Sequence, residues 1–402
     1  MTLTAPTATR NRGRAPQGLP RLFTPGTADF GAHRAAFGEL PHATGLIDEV
    51  AAAGLTGRGG AGFPTARKLA AMGTHGIAIA NASEGEPLST KDAALLTYAP
   101  HLVLDGLELV GRAVHAKQLV VVVKAAHEDV VRRAVGDRPG GSRIVVRVTE
   151  DRYVSGEASA VARVASTGIA KPVDRTVRLT SREFRRPPTL VQNAETLAHI
   201  ALIGRFGATW FRSLGTTSDP GTRLLTVSGD VGAPGPIEMA GGATVAQILD
   251  AADTDPAGIR AVLVGGYHGT WVGPRDFARP LVPRQDGSGI PAGAGSIYAL
   301  GAGSCGIALT AGIARYLADQ SAGQCGPCLN GLPALASALE RLRAGNRDPA
   351  LAGRIQGLAG LVIGRGSCHH PDGTAHMVGS AMDVFAVDVS AHLQGYCTEV
   401  HR

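Results

Sequence analysis

The residues with the clearest chemical potential are two cysteines in the stretch "SAGQCGPCLNG", Ser321 to Gly331. Cys325 and Cys328 sit three residues apart with a proline between them. Thiolates at this spacing suit a metal ion or an iron–sulfur cluster. A CxxC at a helix N-terminus also gains from the helix dipole and main-chain N–H groups, which lower thiol pKa values and donate to cluster sulfides. Five cysteines in 402 residues make no disulfide framework, and in a reducing compartment paired cysteines read as metal or redox ligands. A second string, "GRGGAGFPTARK" (Gly57 to Lys68), holds four glycines within six residues. Without Cβ atoms such a backbone can lie against a flat ring or a phosphate, and Arg58 and Lys68 add positive charge. Glycine content alone would equally suit a structural turn. The GK[ST] ending of a P-loop is missing, and no long apolar strand precedes the glycines as the dinucleotide fingerprint requires.

Positioning these residues falls to a chain of several domains. "HGIAIANASEGEP" reads as a short strand and a polar loop, "APHLVLDGLELVGRAVHA" as an amphipathic helix, and "QLVVVVKAAHEDVVRRAV" as a buried strand followed by a helix. "SRIVVRVTEDRYVSGEASAVARVAS" repeats the strand–helix pattern, so residues 41–215 are expected to form a Rossmann-like layered α/β domain. Residues 222–302 change character to a small β-rich module, with "GAPGPIEMAGG" read as a turn. Residues 305–390 are read as a helical domain that carries the CxxC, 1–40 as a flexible basic tail and 391–402 as a second tail.

Composition narrows the function classes. Glycine is abundant at 55 residues and aromatics are scarce at 4%. The net charge is +6, and residues 1–40 supply half of it, five Arg against Asp29 and Glu39. With the remainder only mildly basic and no basic face interleaved with aromatics, no nucleic-acid partner is expected, and anionic cofactors account for the charge. No apolar leader and no run of about 18 apolar residues is present, which predicts a cytoplasmic protein that meets a membrane only through partners.

Taken as a whole string, "GLTGRGGAGFPTARK" resembles the family of NADH-binding flavoprotein (F-type, FMN and iron–sulfur) subunits of respiratory complex I and of the related NAD-linked hydrogenases and formate dehydrogenases. "NASEGEPLSTKD" (81–92) is similar to the family's acidic loop, "APHLVLDGLELV" (99–110) to its next helix, "RYVSGEASAV" (152–161) to its flavin-side GEE loop, and "PPTLVQNAETLAHI" (187–200) to the segment that closes over the flavin phosphate. Residues 222–302 look like the family's soluble-ligand-binding β-grasp module, and the CxxC domain comes last. The resemblance implies that Gly57, Arg58, Gly59, Gly60 and Lys68 cradle FMN and that Asn81 and Glu84 line it. It implies Tyr153, Gly156 and Glu157 on another side, Asn193 and Thr196 at the phosphate end, and Phe63 and Glu86 beside the nicotinamide nucleotide. Turn-forming asparagines, a core Phe and a solvated Glu are the plain alternatives. The implied reaction is NAD(P)H oxidation with electrons passed through FMN to an iron–sulfur centre, then to ferredoxin-like or other electron-transfer subunits or a quinone-linked acceptor. The cofactors carry that chemistry, so no catalytic triad is needed.

The sequence departs from the family at both ends of this path, as in a divergent paralogue. Ala158 stands where the second Glu of the GEE loop is usual, and Ser83 where an Asp is usual. A carboxylate at 158 would bind ribose hydroxyls and repel a 2′-phosphate. Its loss, with Arg175 and Arg178 nearby in sequence, raises the expectation of NADPH beside NADH. The family's SCGxCxPC reads SAGQCGPC, so three ligands, Cys325, Cys328 and Cys368, remain and the fourth position is Ala322. Four outcomes are open: a 4Fe–4S cluster with a non-cysteine ligand, a 3Fe–4S cluster, replacement by Cys305, His369 or His370, or a bare or zinc-filled thiol site. A non-catalytic scaffold or ligand-binding protein that keeps the fold is the alternative function.

Overall fold

A computed structural model describes residues 17–181, 187–284 and 287–399. The first sheet is parallel throughout. Its strands are β2 (Ile77–Ala82), β3 (Gln118–Lys124), β4 (Ile144–Thr149) and β5 (Thr189–Asn193), in the order β4-β3-β2-β5. The Val run of β3 is buried on both faces, as a central parallel strand requires. Helices cover it: α2 (Leu46–Ala53), α3 (Thr65–Ala70), α4 (Lys91–Tyr98), α5 (Pro100–Ala113), α6 (Glu128–Gly136), α7 (Ala158–Thr167) and α8 (Ala194–Arg212). In register, Asn81 of β2 pairs with Asn193 of β5, so both residues stand at the carboxyl ends of adjacent parallel strands. Ligands of open α/β sheets bind at that edge.

The flexible-tail expectation fails for residues 17–40; residues 1–16 lie outside the described residues. β1 (Gln17–Gly18) pairs with β7 (Gly235–Ala240), Leu22 is fully buried, and Leu22 N–H donates to Glu238 Oε2 at 2.9 Å. α1 (Phe30–Phe37) is held by His33 Nε2, 2.8 Å from Asp105 Oδ2, and Asp105 also meets Arg138 and Arg205. These partners lie far along the chain, which is why composition alone read this segment as tail.

The second sheet is built from β1 at one edge with β6 (Thr222–Gly229), β7, β8 (Ile259–Val264), β9 (Thr270–Val272) and β12 (Ser296–Gly301), and α9 (Val245–Ala251) lies between β7 and β8 in sequence. β12 enters between β6 and β8, parallel to β6 and antiparallel to β8, the β-grasp order expected. Part of the stretch read as a turn is therefore β7, paired along its length with β6. The short strands β10 (Leu281–Val282) and β11 (Ile290–Pro291) form a separate ribbon.

α10 (Gly306–Asp319), α11 (Leu332–Arg343), α12 (Leu351–Val362), α13 (His370–Val384) and α14 (Ala386–Leu393) close the chain. Their core is continuous with Leu263, Tyr267 and Trp271, so one sheet face packs on the helices while the other packs on α9. Among the described residues no single helix is long and apolar enough to cross a membrane.

Candidate functional site

The glycine-rich loop is closed at its base, where Gly57 N–H donates to the Phe63 carbonyl at 2.9 Å and Thr65 N–H to the Leu55 carbonyl at 2.9 Å. Gly60 has φ +112°, and a Cβ there would lie in ordinary contact with Gly293 and Ala294, just before β12, 3.7 Å away at the nearest. Gly59 and Ala61 on either side are exposed, so the loop keeps an open side there. Gly59 lies against β5, where a Cβ would come 3.2 Å from Asn193 Cβ. Phe63 is exposed, with the Arg67 guanidinium 5.9 Å from its ring centre.

Arg58 is placed differently from the expectation. Its side chain is buried away from the loop's open side, with Nη1 2.7 Å from Asp219 Oδ1 and Nη2 donating to the carbonyls of Pro220 and Thr222. Arg58 N–H donates to Thr196 Oγ1 at 2.9 Å, so Thr196 fastens the loop to α8. Lys91 Nζ donates to the Arg58 carbonyl at 2.6 Å and to Glu195 Oε2 at 2.8 Å. Burial raises the cost of charging Glu195, but Lys91 and His199 outweigh it and hold the carboxyl well below its usual range. Arg58, Lys91, Glu195 and Asp219 thus form a buried, paired frame beneath the loop. Lys91, Glu195 and Asp219 were not singled out in the sequence; they are distant partners that only the fold joins.

Lys68 stands on α3 behind the loop and is half-buried. Its Nζ donates to the Val191 carbonyl, and burial pushes its pKa down to about 8 against the pull of Glu157. Asn81 Nδ2 donates to the Gly156 carbonyl at 2.9 Å, while its Oδ1 accepts from the main-chain N–H and hydroxyl of Ser83. Asn193 caps α8 through Glu195 N–H and directs Nδ2 to both oxygens of Asp92. Glu84 sits beside Asp92, and burial raises both carboxyls, each also feeling its neighbours' charges. Glu157 accepts from Ser159 and Ala160 N–H and so caps α7, with Ala158 as the first helical residue.

Glu86 and Tyr153 occupy a separate, buried corner. Tyr153 donates from its hydroxyl to Glu86 Oε2 at 3.3 Å, and its ring packs edge-on to His268 at 4.7 Å between centres. His268 packs in turn on His370 at 5.0 Å, and Tyr267 on Tyr316 at 5.4 Å. Burial, then the neighbouring histidines, keeps His268 neutral, and burial lowers His370 to about 4. Tyr267, His268 and Tyr316 carry no motif of their own, and His370 is singled out only as a replacement ligand for the thiol site, so nothing in the sequence brings the four to Glu86. Arg175 and Arg178 do not gather at this site. Arg175 binds Asp372 and the Gly364 carbonyl, and its N–H meets Ser367, beside Cys368. Arg178 lines a small recess with Ile77 and Thr189, at the opposite ends of β2 and β5 from Asn81 and Asn193.

The chemistry of the loop surroundings suits a polar, anionic ligand such as FMN. Glycine main chain, one unneutralised lysine and two amides face one strand edge, and Ser155 Oγ, next to Gly156, is buried with no hydrogen-bond partner among the described residues.

The thiol loops meet at the other end of α10. Cys328 is the second residue of a π-helical turn over Pro327–Gly331 that runs into α11, and Cys368 lies just before α13. Burial raises all three thiols, but for Cys325 the N–H groups of Ser367 and Cys328 win and its pKa falls. Cys328 is pushed up to about 12 by burial, then by the Cys325 and Cys368 charges. Three thiols near enough to sense one another fit a cluster that spreads its ligands, and Ala322 offers no fourth. The replacement ligands fare unequally. Cys305 caps the far end of α10, a helix of 14 residues and so roughly 20 Å long. His370 Nε2 meets the Leu317 carbonyl at 2.8 Å, while His369 is exposed beside Asp372.

Residues 50–202 match the Nuo51 FMN-binding domain, and residues 308–392 match the NADH-ubiquinone oxidoreductase-F iron-sulfur binding region; together the matches cover more than half of the chain. The chain is 25% identical over 383 residues to the F 2 subunit of the NADH-quinone oxidoreductase of Rhizobium meliloti (strain 1021), covering 87% of this chain and 89% of that protein. It is 27% identical over 376 residues to the HndC subunit of the NADP-reducing hydrogenase of Solidesulfovibrio fructosivorans, covering 87% and 76%. It is similar to an NAD+-reducing [NiFe]-hydrogenase crystallised in the H2-reduced state, with a TM-score of 0.78 and 30% identity over 88% of this chain and 63% of the other. A glycine loop over an asparagine-bearing strand edge, a thiol domain behind it and these matches in the same order agree: the chain belongs to the family of F-type flavoprotein subunits of NADH-quinone oxidoreductases and related hydrogenases.

Proposed function

We propose that this chain is an NAD(P)H dehydrogenase-type electron-transfer subunit that holds FMN at the Gly57–Lys68 loop and an iron–sulfur cluster on Cys325, Cys328 and Cys368. The observation that carries the reading is the register of Asn81 with Asn193 at the carboxyl ends of β2 and β5, under a glycine loop exposed at Gly59 and Ala61. When bound, FMN supplies two-electron acceptance from a nicotinamide and one-electron delivery to a cluster. The protein's part is positional. Glycine main chain gives close approach, Lys68 offsets phosphate charge, Asn81 and Asn193 orient polar edges, and the Arg58–Asp219 pair keeps the loop from shifting. Phe63, exposed at the loop rim, would stack on a nucleotide.

Ala158 leaves no carboxylate at the start of α7 to select against a 2′-phosphate, so both NADH and NADPH are proposed donors. Arg175 and Arg178 are not part of that proposal, because neither lies at the strand edge that carries Asn81 and Asn193. The relatives are subunits of larger oxidoreductases, and a partner electron-transfer subunit is the proposed acceptor. Titrating the apo chain with FMN, then adding each nucleotide anaerobically, tests the reading. Stoichiometric binding followed by flavin bleaching is expected, and failure to bind FMN would refute it.

A further inference from the structure

A second set of soft ligand atoms converges away from both proposed cofactor positions. Cys305 caps α10, accepting from Ala308 N–H at 3.4 Å, and its Sγ lies 3.3 Å from His392 Nε2. Cys397, past the end of α14, joins them: the two sulfurs and the imidazole nitrogen all lie within 4.8 Å of one another. Zinc bound tetrahedrally at about 2.3 Å from sulfur and about 2.0 Å from nitrogen spaces its ligand atoms roughly 3.5–4 Å apart. The three atoms therefore already stand near three corners of such a site.

The chain end is folded back to reach this arrangement. Gly395 turns with φ +89°, Thr398 Oγ1 donates to Asp388 Oδ1 at 2.6 Å, and Arg260 bridges Asp388 and Glu399 at 2.8 Å each. His392 is buried, and its ring also meets the main-chain carbonyls of Arg343 and Leu342 as acceptors. A ring that gives one N–H to main chain presents its other nitrogen as a lone pair, the arrangement common behind metal-ligating histidines.

We propose that Cys305, His392 and Cys397 form a structural site for a borderline-soft divalent cation of the zinc class, with solvent as the fourth ligand. Two thiolates and one imidazole select that class over magnesium or calcium, which take oxygen ligands. On binding, two sulfur–metal bonds and one nitrogen–metal bond form and the two thiol protons leave to solvent, with no change of oxidation state. The ion would pin the C-terminal turn to the start of α10, at the opposite end of that helix from the Cys325 loop.

The test counts zinc, separately from iron, in the full chain with and without Cys397→Ser. A full equivalent of zinc is expected in the parent and none in the variant, with iron content unchanged. Loading Co2+ into a chain carrying Cys325→Ser, Cys328→Ser and Cys368→Ser should give thiolate-to-cobalt charge-transfer absorption that disappears when Cys305→Ser is added. A chelator should lower the melting temperature of the parent and leave that of Cys397→Ser unchanged. Zinc content independent of Cys397, or a Cys305–Cys397 disulfide in anaerobically purified protein, would overturn the proposal.

Discussion

Glu86 Oε2 accepts the main-chain N–H of Tyr267 at 2.8 Å, across 181 positions of sequence. The acidic loop after β2 is thereby tied to the loop after β8, and through the ring of Tyr153 to the helices that carry the thiols. The same carboxylate accepts from Leu88 N–H at 3.1 Å. Burial is the main reason its pKa rises to about 7, with the Glu84 charge adding and the three donors opposing.

That shift predicts a pH dependence. The folded chain holds the Glu86 proton up to about pH 7, whereas an unfolded glutamate loses it near 4.5. The folded state therefore binds more protons between those values, and the stabilisation present below 4.5 is lost as pH rises through 7. Glu86→Gln should remove roughly 3 kcal/mol of that loss. Urea unfolding of wild type and variant at several pH values would show two curves that diverge only across this window. Glu238, also raised to about 7, is common to both chains and cancels.

Removing the guanidinium of Arg58 leaves Asp219 buried with Arg223 as its remaining ion-pair partner among the described residues. Breaking one side of a buried pair costs about 3–5 kcal/mol. Arg58→Met should lower the unfolding midpoint accordingly and weaken FMN binding as the loop loosens, measured by denaturation and flavin fluorescence.

Lys68→Met should weaken FMN binding roughly 10–100-fold, the worth of about 1.5–3 kcal/mol for a charge-assisted hydrogen bond. The same change should cost little with riboflavin, which has no phosphate. Equal losses for both ligands in a flavin titration would remove Lys68 from the phosphate.

Ala158→Glu places a carboxylate at the first position of α7. The ratio of NADH to NADPH oxidation should rise at least tenfold, which corresponds to about 1.4 kcal/mol. Steady-state rates with each nucleotide decide this.

Which parts were legible follows the range of the interactions. The glycine loop, the β3 Val run and the CxxC with its distant Cys368 are local strings whose residue types state their purpose. Arg58 looked like a ligand-facing cation because the sequence does not reveal Asp219, 161 positions away. Glu157 likewise spends its carboxylate on its own helix, a local capping competition that a motif match overlooks. The segment 17–40 read as tail because its anchors, Asp105 and Glu238, come much later. Cys397 carries no sequence signal for the same reason: Cys305 becomes its neighbour only after the last turn folds back.

The most direct measurement of the central claim is visible absorption with low-temperature EPR on the anaerobic, reconstituted chain before and after NADH or NADPH. The account predicts flavin bleaching together with a cluster signal that Cys328→Ser abolishes. A protein that stays colourless after supply of FMN, iron and sulfide would contradict it and leave a scaffold with the fold but not the electron path.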